Sequence, residues 1–167
     1  MTCEKDKEGN LLPDEKRLTK YGKFLRSTSL DELPELWNIV KGDMSIVGPR
    51  PQLVRDMVFM TSEQRRRHSV RQGLTGLAQI NGRNNMTWDK KFEYDLQYIQ
   101  KITLIGDIRI IIKTVAKVFK RDGVTTEGME TAEDFGDYLL RGQKIEKKLY
   151  DLKFKEADNL LENVTRR

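Results

Sequence analysis

The sequence predicts an irregular, helix-rich α/β fold, built as a single domain of amphipathic helices and short strands. Three observations carry this. At 167 residues the chain has the size of one ordinary domain and is long enough to bury a core. From Leu18 onwards, apolar residues recur mostly at helical spacing, in segments punctuated by glycine, proline and capping residues. Extended patterning is confined to two brief stretches, 44–47 and part of 71–85.

Taken in order, residues 1–15 (MTCEKDKEGNLLPDE) are polar and hold nothing that nucleates a domain. Residues 17–26 then place Leu18, Tyr21, Phe24 and Leu25 at helical spacing. In SLDELPELWNIVKGD, 29–43, Ser29 and Glu32 have capping-box spacing, and Gly42 suits a helix end. Pro34 is awkward five places into that helix but comfortable if Asp31 is the cap, so both registers stay open. In either register, Asp31 and Glu32 stand at the positive end of the helix dipole. MSIV, 44–47, reads as a short buried strand stopped by Gly48-Pro49-Arg50-Pro51. Helical patterning resumes near Leu53, and 61–64 offers a second capping box ahead of Arg65, Arg66, Arg67 and His68. Residues 71–85, RQGLTGLAQINGRNN, read as loop with a strand. Thr87 caps a helix carrying Trp88, Phe92, Leu96 and Ile99 on one face. After Thr103 comes the strongest helical pattern, with Leu104, Ile108, Ile111, Ile112, Val115 and Phe119 read as the inner stripe. Arg109, Lys113, Lys117 and Lys120 lie off that stripe, giving a basic amphipathic helix suited to a membrane surface. From 144 to 164 a charged helix is predicted, its polar majority marking a peripheral appendage.

Composition narrows the class. Six phenylalanines, five tyrosines and two tryptophans argue against wholesale disorder. A single cysteine, Cys3, forms no internal disulfide, which fits a reducing cytosol, and it has no nearby partner for metal or nucleophile chemistry. No stretch approaches the roughly 18 apolar residues that span a bilayer. The net charge of +5 is concentrated: residues 61–121 hold thirteen basic and five acidic side chains, whereas 122–167 hold eleven acids and eight bases. The basic surplus at mid-chain suits phosphates, anionic lipid or nucleic acid, and charge alone does not choose among them.

Several residues suggest chemistry. An adjacent Asp-Glu pair at a helix start serves capping in most helices. Here Asp31 and Glu32 have Arg26 upstream and Arg50 in a rigid Pro-Arg-Pro turn, and arginine grips phosphate oxygens through a bidentate fork. Two neighbouring carboxylates can hold Mg²⁺, which sits on one or two carboxylates plus substrate phosphates. Asp95 lies on the apolar side of its helix, between Phe92 and Leu96, and needs a metal or an arginine as partner. Gly73 and Gly76 fit no phosphate-loop pattern and read as turn glycines. His68 reads as a solvated helix residue, Trp88 and Phe92 as core, and Arg65 to Arg67 as a solvated face or a headgroup contact.

The stretch SLDELPELWNIVKGDMSIVGPRP, 29–51, closely resembles the signature of bacterial sugar transferases, the monotopic polyprenyl-phosphate phosphoglycosyl transferases. GLTGLAQINGRN at 73–84, the segment around YDLQYI at 94–99, and DIRIIIKTVAKVFKRDGV after it resemble their following motifs. The likeness runs from about Leu18 to Val124 and implies transfer of a sugar-1-phosphate from a UDP-sugar to polyprenyl (undecaprenyl) phosphate, releasing UMP, at the cytosolic face of the bacterial inner membrane. Such a step starts exopolysaccharide or glycoconjugate assembly. By resemblance, Asp31 is the nucleophile that takes up the phosphosugar, and Glu32 is its metal-binding, proton-handling partner. Arg26, Arg50 and Asp95 match positions that organise the diphosphate and Mg²⁺. A weak carboxylate nucleophile needs its diphosphate target neutralised by metal and arginine, so the physical logic agrees.

The implied organisation is a catalytic domain over 1–127, N-terminally truncated, followed by a charged helical extension over 128–167. The family opens with a hydrophobic re-entrant membrane helix and a lysine-phenylalanine-arginine-threonine-methionine stretch, and this sequence shows neither. The chain as written is therefore expected to transfer poorly to a lipid acceptor. Gln72 also stands where the family usually has proline. The rival reading is a truncated, non-catalytic peripheral relative that binds membrane or nucleotide-sugar without turnover. Nucleic-acid binding rests on charge alone and is set aside by the resemblance.

Overall fold

The computed structural model describes residues 2, 4, 5, 17, 19–27, 33–82, 86–120 and 133–165. Helices α1 (Lys20–Ser27) and α2 (Leu33–Lys41) precede strand β1 (Ser45–Val47). The link to β2 (Gly73–Thr75) carries α3 (Val54–Met57), α4 (Ser62–Arg65) and a 3₁₀ turn (Arg66–Ser69). Then follow α5 (Leu77–Asn81), α6 (Trp88–Gln100), α7 (Leu104–Lys120), α8 (Phe135–Arg141) and α9 (Lys147–Thr165). The described fold is thus helix-rich with one small sheet, the irregular α/β architecture that the sequence predicts.

Several boundaries follow the local chemistry. Gly42 ends α2 at φ 84°, with Gly42 N–H on the Ile39 carbonyl and Asp43 N–H on that of Asn38, the glycine-terminated stop its position predicts. Thr61 and Gln64 exchange side-chain and backbone hydrogen bonds in a complete capping box. Thr87 Oγ1 accepts from Lys90 N–H at the start of α6. The two strands pair in parallel, with Ser45 opposite Gly73 and Val47 opposite Thr75. A Cβ on Gly48 would lie 2.9 Å from the Gly73 nitrogen, and one on Gly73 would collide with the Val47–Gly48 peptide. Gly73, expected as a turn glycine, thus lies in a strand and serves close backbone approach. Of the strand residues only Val47 is buried in β1, because Ile46 faces outward.

Helix α6 is the spine, with one hydrophobic cluster at each end. Val47, Ile80, Tyr98 and Ile110 form the first, with Leu77, Ile99 and Ile111 against them. Met60, Trp88, Phe92 and Phe135 form the second, with Met57, Phe59, Tyr138 and Leu139 packed around it. Trp88 and Phe92 are core, as expected. Tyr98 OH donates to the Val47 carbonyl (3.2 Å) and Asp107 Oδ1 (3.1 Å), tying α6 to β1 and α7.

Two expectations are corrected. Of the stripe assigned to the interior of α7, Ile111 does pack inside and the Phe119 side chain lies outside the described residues, but the rest faces outward: Leu104 is 77% and Ile112 62% exposed, and Ile108 and Val115 are exposed with them, as is Ile105. Beside Ile111 the inner side consists of Asp107, Ile110 and Thr114, where Thr114 Oγ1 meets Thr75 Oγ1 at 2.6 Å. Satisfied polar groups let this less apolar side face inward. The charged helix over 144–164, expected as a peripheral appendage, packs on the domain, and the segment before it supplies core. Phe135 is 2% exposed, within 5.1 Å of the Trp88 ring and 5.0 Å of the Phe92 ring, centre to centre. Tyr150 stacks on Phe59, and Ala157 is buried, so the long α9 lies against α3.

Asp56 fastens this segment. Its buried Oδ1 accepts the Phe135 N–H at 2.8 Å, while Arg55 pairs with Asp134 at 2.8 Å and Trp88 Nε1 donates to the Glu133 carbonyl at 3.0 Å. Burial pushes the Asp56 carboxyl above its usual range, against the downward pull of the Phe135 N–H. A raised carboxyl adds stability that is complete below its unfolded value, near 3.8, and is lost as pH rises through its folded value. Asp56→Ala, which orphans the Phe135 N–H, should cost about 1–3 kcal/mol at neutral pH, and Asp56→Asn much less. In thermal melts the wild type should gain on the asparagine variant as pH is lowered, and a constant difference between them would contradict this.

Candidate active site

Asp31 and Glu32 lie outside the described residues. Arg26 belongs to α1, and its side chain likewise lies outside them. Arg50 and Asp95 are described, and the structure brings them together through a residue that the sequence reading left on the surface.

That residue is Arg67. It was read with Arg65 and Arg66 as a solvated face or headgroup contact, and the two neighbours are indeed exposed. Arg67 is 1% exposed. The switch from α-helix to 3₁₀ turn at Arg66 changes the angular step between successive side chains, and Arg67 points inward to α6. Its Nε donates to Asp95 Oδ2 at 2.8 Å, and Nη2, in ion-pair contact with the same oxygen at 2.8 Å, donates to the Arg50 carbonyl at 2.7 Å. Asp95, 3% exposed, therefore has the arginine partner its apolar surroundings demanded. Burial pushes its carboxyl up, and Arg67 pulls the other way. The third nitrogen, Arg67 Nη1, is buried with no acceptor among the described residues.

The Gly48-Pro49-Arg50-Pro51 turn is thereby clamped. Pro49 is among the most deeply buried side chains, Gly73 N–H donates to its carbonyl at 3.0 Å, and the Arg67 fork holds the next carbonyl. The Arg50 side chain projects from this fixed backbone and is exposed, an arrangement able to present a guanidinium to an anion. Lys91, one helical turn before Asp95, feels the charges of Asp56, Asp95 and Arg50. His68, expected to be solvated, is half-buried, with Nδ1 2.9 Å from Gln72 Nε2. Burial, then Arg67 and Arg65, push its pKa down.

Among the described residues no three or more His, Cys, Asp or Glu side chains gather to hold a metal. Asp95 is the one candidate ligand whose geometry is described, and both Arg67 bonds fall on its Oδ2, leaving Oδ1 as the oxygen for a cation. Hard carboxylate oxygens are the donors Mg²⁺ prefers, so the chemistry of the Asp31, Glu32 and Asp95 set fits that ion.

Removing one member of the buried pair strands the other. Arg67→Met should cost about 3–5 kcal/mol, and joining it to Asp95→Leu should recover a large part of that loss. Chemical denaturation of the two single variants and the double variant measures the coupling, and simple additivity would show that the pair contributes nothing as a pair.

Comparison with known proteins adds an independent line. Residues 1–121 match the family described as bacterial sugar transferase. The chain is 50% identical over 135 residues to a Bacillus subtilis (strain 168) protein named uncharacterized sugar transferase EpsL, covering 81% of this chain and 67% of the relative. It is 48% identical over 113 residues to the galactosyl transferase CpsE of Streptococcus agalactiae serotype III (strain NEM316), covering 67% of this chain and 25% of the relative. It is also 48% identical over 116 residues to the UDP-glucose:undecaprenyl-phosphate glucose-1-phosphate transferase of Klebsiella pneumoniae, covering 62% of this chain and 24% of the relative. The chain thus spans two thirds of the first relative and about a quarter of the other two. With the match over 1–121, the chain belongs to the bacterial sugar transferase family.

Proposed function

We propose that this chain is the catalytic part of an enzyme that transfers a sugar-1-phosphate from a UDP-sugar to a polyprenyl phosphate such as undecaprenyl phosphate. The observation that carries the reading is the agreement of family membership with a rigid, arginine-bearing turn held against Asp95. A relative 48% identical to this chain is named for that reaction with UDP-glucose, and another, 43% identical, is named an exopolysaccharide production protein.

In this mechanism an Asp31 carboxylate oxygen attacks the sugar-bearing phosphorus of the diphosphate. The bond from that phosphorus to the bridging oxygen breaks, UMP departs, and the phosphosugar stays on Asp31. A phosphate oxygen of the polyprenyl acceptor then attacks the same phosphorus, releasing Asp31 and leaving a polyprenyl diphosphate sugar. Glu32 handles protons beside Asp31. Arg26 and Arg50 grip phosphate oxygens, which lowers the charge that an anionic nucleophile must approach. Asp31, Glu32 and Asp95 would hold Mg²⁺, which supplies charge neutralisation on the diphosphate when bound.

The acceptor's phosphate sits at a bilayer surface, and the outward face of α7 suits contact with one at the cytosolic side. Leu104, Ile105, Ile108, Ile112 and Val115 are exposed along it, with Arg109 and Lys113 exposed on one flank. Among the described residues no helix is long and apolar enough to cross a membrane, so this contact lies in the interface plane. Helix α2 adds a second exposed stripe, with Leu33, Leu36, Trp37 and Val40.

In vesicles carrying polyprenyl phosphate and UDP-sugar, Asp31→Asn should abolish UMP release and the trapped phosphosugar adduct while leaving the melting temperature unchanged. Chelation should stop wild-type turnover. Normal turnover by the asparagine variant, or in excess chelator, would overturn the respective assignment. Separately, Ile112→Asp should lower partitioning onto anionic vesicles by about tenfold, the scale expected for burying one such side chain. Unchanged partitioning would remove α7 from the contact.

A further inference from the structure

Lys91 on α6 stands apart from the lysine beside it. Lys90 is exposed and pairs with Glu93 at 3.4 Å. Lys91, its neighbour, is half-buried, and its Nζ lies 4.5 Å from the centroid of the Trp88 ring. Among the described residues its ammonium has neither a hydrogen bond nor an ion pair. The two carboxylates whose charge it feels already carry close contacts: Asp56 Oδ1 takes the Phe135 N–H, and Asp95 Oδ2 takes both Arg67 nitrogens. An ammonium carries three donors, and withdrawing it from water without filling them is costly. Burial accordingly pushes the Lys91 pKa down.

The surroundings indicate what fills them. Arg50 is near enough that its charge opposes that of Lys91, and the Arg67 fork ties the Arg50 carbonyl to Asp95, one helical turn from Lys91. Arg67 Nη1 is a further donor without an acceptor in the same cluster. Lys91 and Arg67 Nη1 are thus donors without acceptors among the described residues, held beside Asp56 Oδ1 and Asp95 Oδ2, which already carry close contacts. Such an arrangement is electrostatically frustrated until an anion with several oxygens enters. The Trp88 ring holds the ammonium on its face by cation–π attraction, and that ring is itself braced by the Glu133 carbonyl and Phe135.

We propose that Lys91 is a phosphate-binding residue of the active site, working with Arg50 on the diphosphate of the nucleotide sugar. The assignment rests on the transferase reading for the identity of that ligand. The shared chemistry is a phosphate group, which either the donor diphosphate or the acceptor monophosphate supplies.

Calorimetric titration of the full chain with UDP in the presence of Mg²⁺, and with a short-chain prenyl monophosphate, separates the two sources. Lys91→Met should weaken UDP binding about tenfold or more, the scale of a hydrogen bond to a charged group. Lys91→Arg should restore most of it, and Lys90→Met should stay within about twofold of wild type. A loss confined to the prenyl monophosphate would support a phosphate site and move Lys91 to the acceptor. If Lys91→Met changes the melting temperature but neither affinity, Lys91 is only a counter-ion for Asp56 and Asp95, and the proposal falls. If the wild type binds neither ligand, it falls as well. UMP release assayed in parallel keeps the two ideas apart: UDP binding that depends on Lys91, without turnover, would uphold this site and refute the transferase reading.

Discussion

A guanidinium and a carboxylate buried together at the midpoint of α6 set the terms for the rest of the molecule. Water reaches neither Arg67 nor Asp95 to any extent, so each relies on the other and on the neighbouring backbone for its hydrogen bonds. Such a pair is stable only if its partners arrive in fixed positions. The 3₁₀ turn delivers the arginine, α6 delivers the aspartate, and the Pro-Arg-Pro turn delivers a carbonyl to the same fork. The two hydrophobic clusters close over the pair from either side, since Phe92 and Tyr98 flank Asp95 along the helix. Fold and candidate site are therefore one construction. The contacts that exclude water from the pair also fix the backbone from which Arg50 projects.

Helix α7 shows how the domain divides its surfaces. Its inner side carries polar atoms with partners, Asp107 toward Tyr98 and Thr114 toward Thr75, and its outer side carries the larger aliphatic residues. A helix with apolar residues on both sides gains from burial on each, and the domain's own core covers only the inner one. The basic side chains on a single flank suit a helix lying flat at a charged interface.

Much of this was legible beforehand, and the failures have physical causes. The ends of α2, α4 and α6 were readable because a left-handed glycine, a capping box and a threonine cap are local devices. The need of Asp95 for a partner was readable from its apolar neighbours, but the choice of Arg67 was not. Three consecutive arginines look alike in sequence, and only the tighter turn at Arg66 turns one of them inward. Apart from Ile111, the described residues of the apolar stripe expected inside α7 face outward, because hydrogen bonds to Tyr98 and Thr75, 9 and 39 residues away in sequence, hold the other side inward. The docking of Phe135 was invisible for the same reason, since its anchor at Asp56 lies 79 residues away. Asp31 and Glu32 were identified from motif and helix position, and that remains the basis of their assignment.

The late arrival of Phe135 bears on how the chain is made. During synthesis Trp88, Phe92 and Met60 leave the ribosome well before the aromatic side chain that covers them. At roughly 5–20 residues per second, the stretch from Phe92 to Phe135 takes on the order of 2–9 s to add. Throughout that interval the nascent domain displays an open aromatic pocket, and Asp56 has no N–H to receive. The pocket stays short of one wall until the chain's own C-terminal segment arrives to close it.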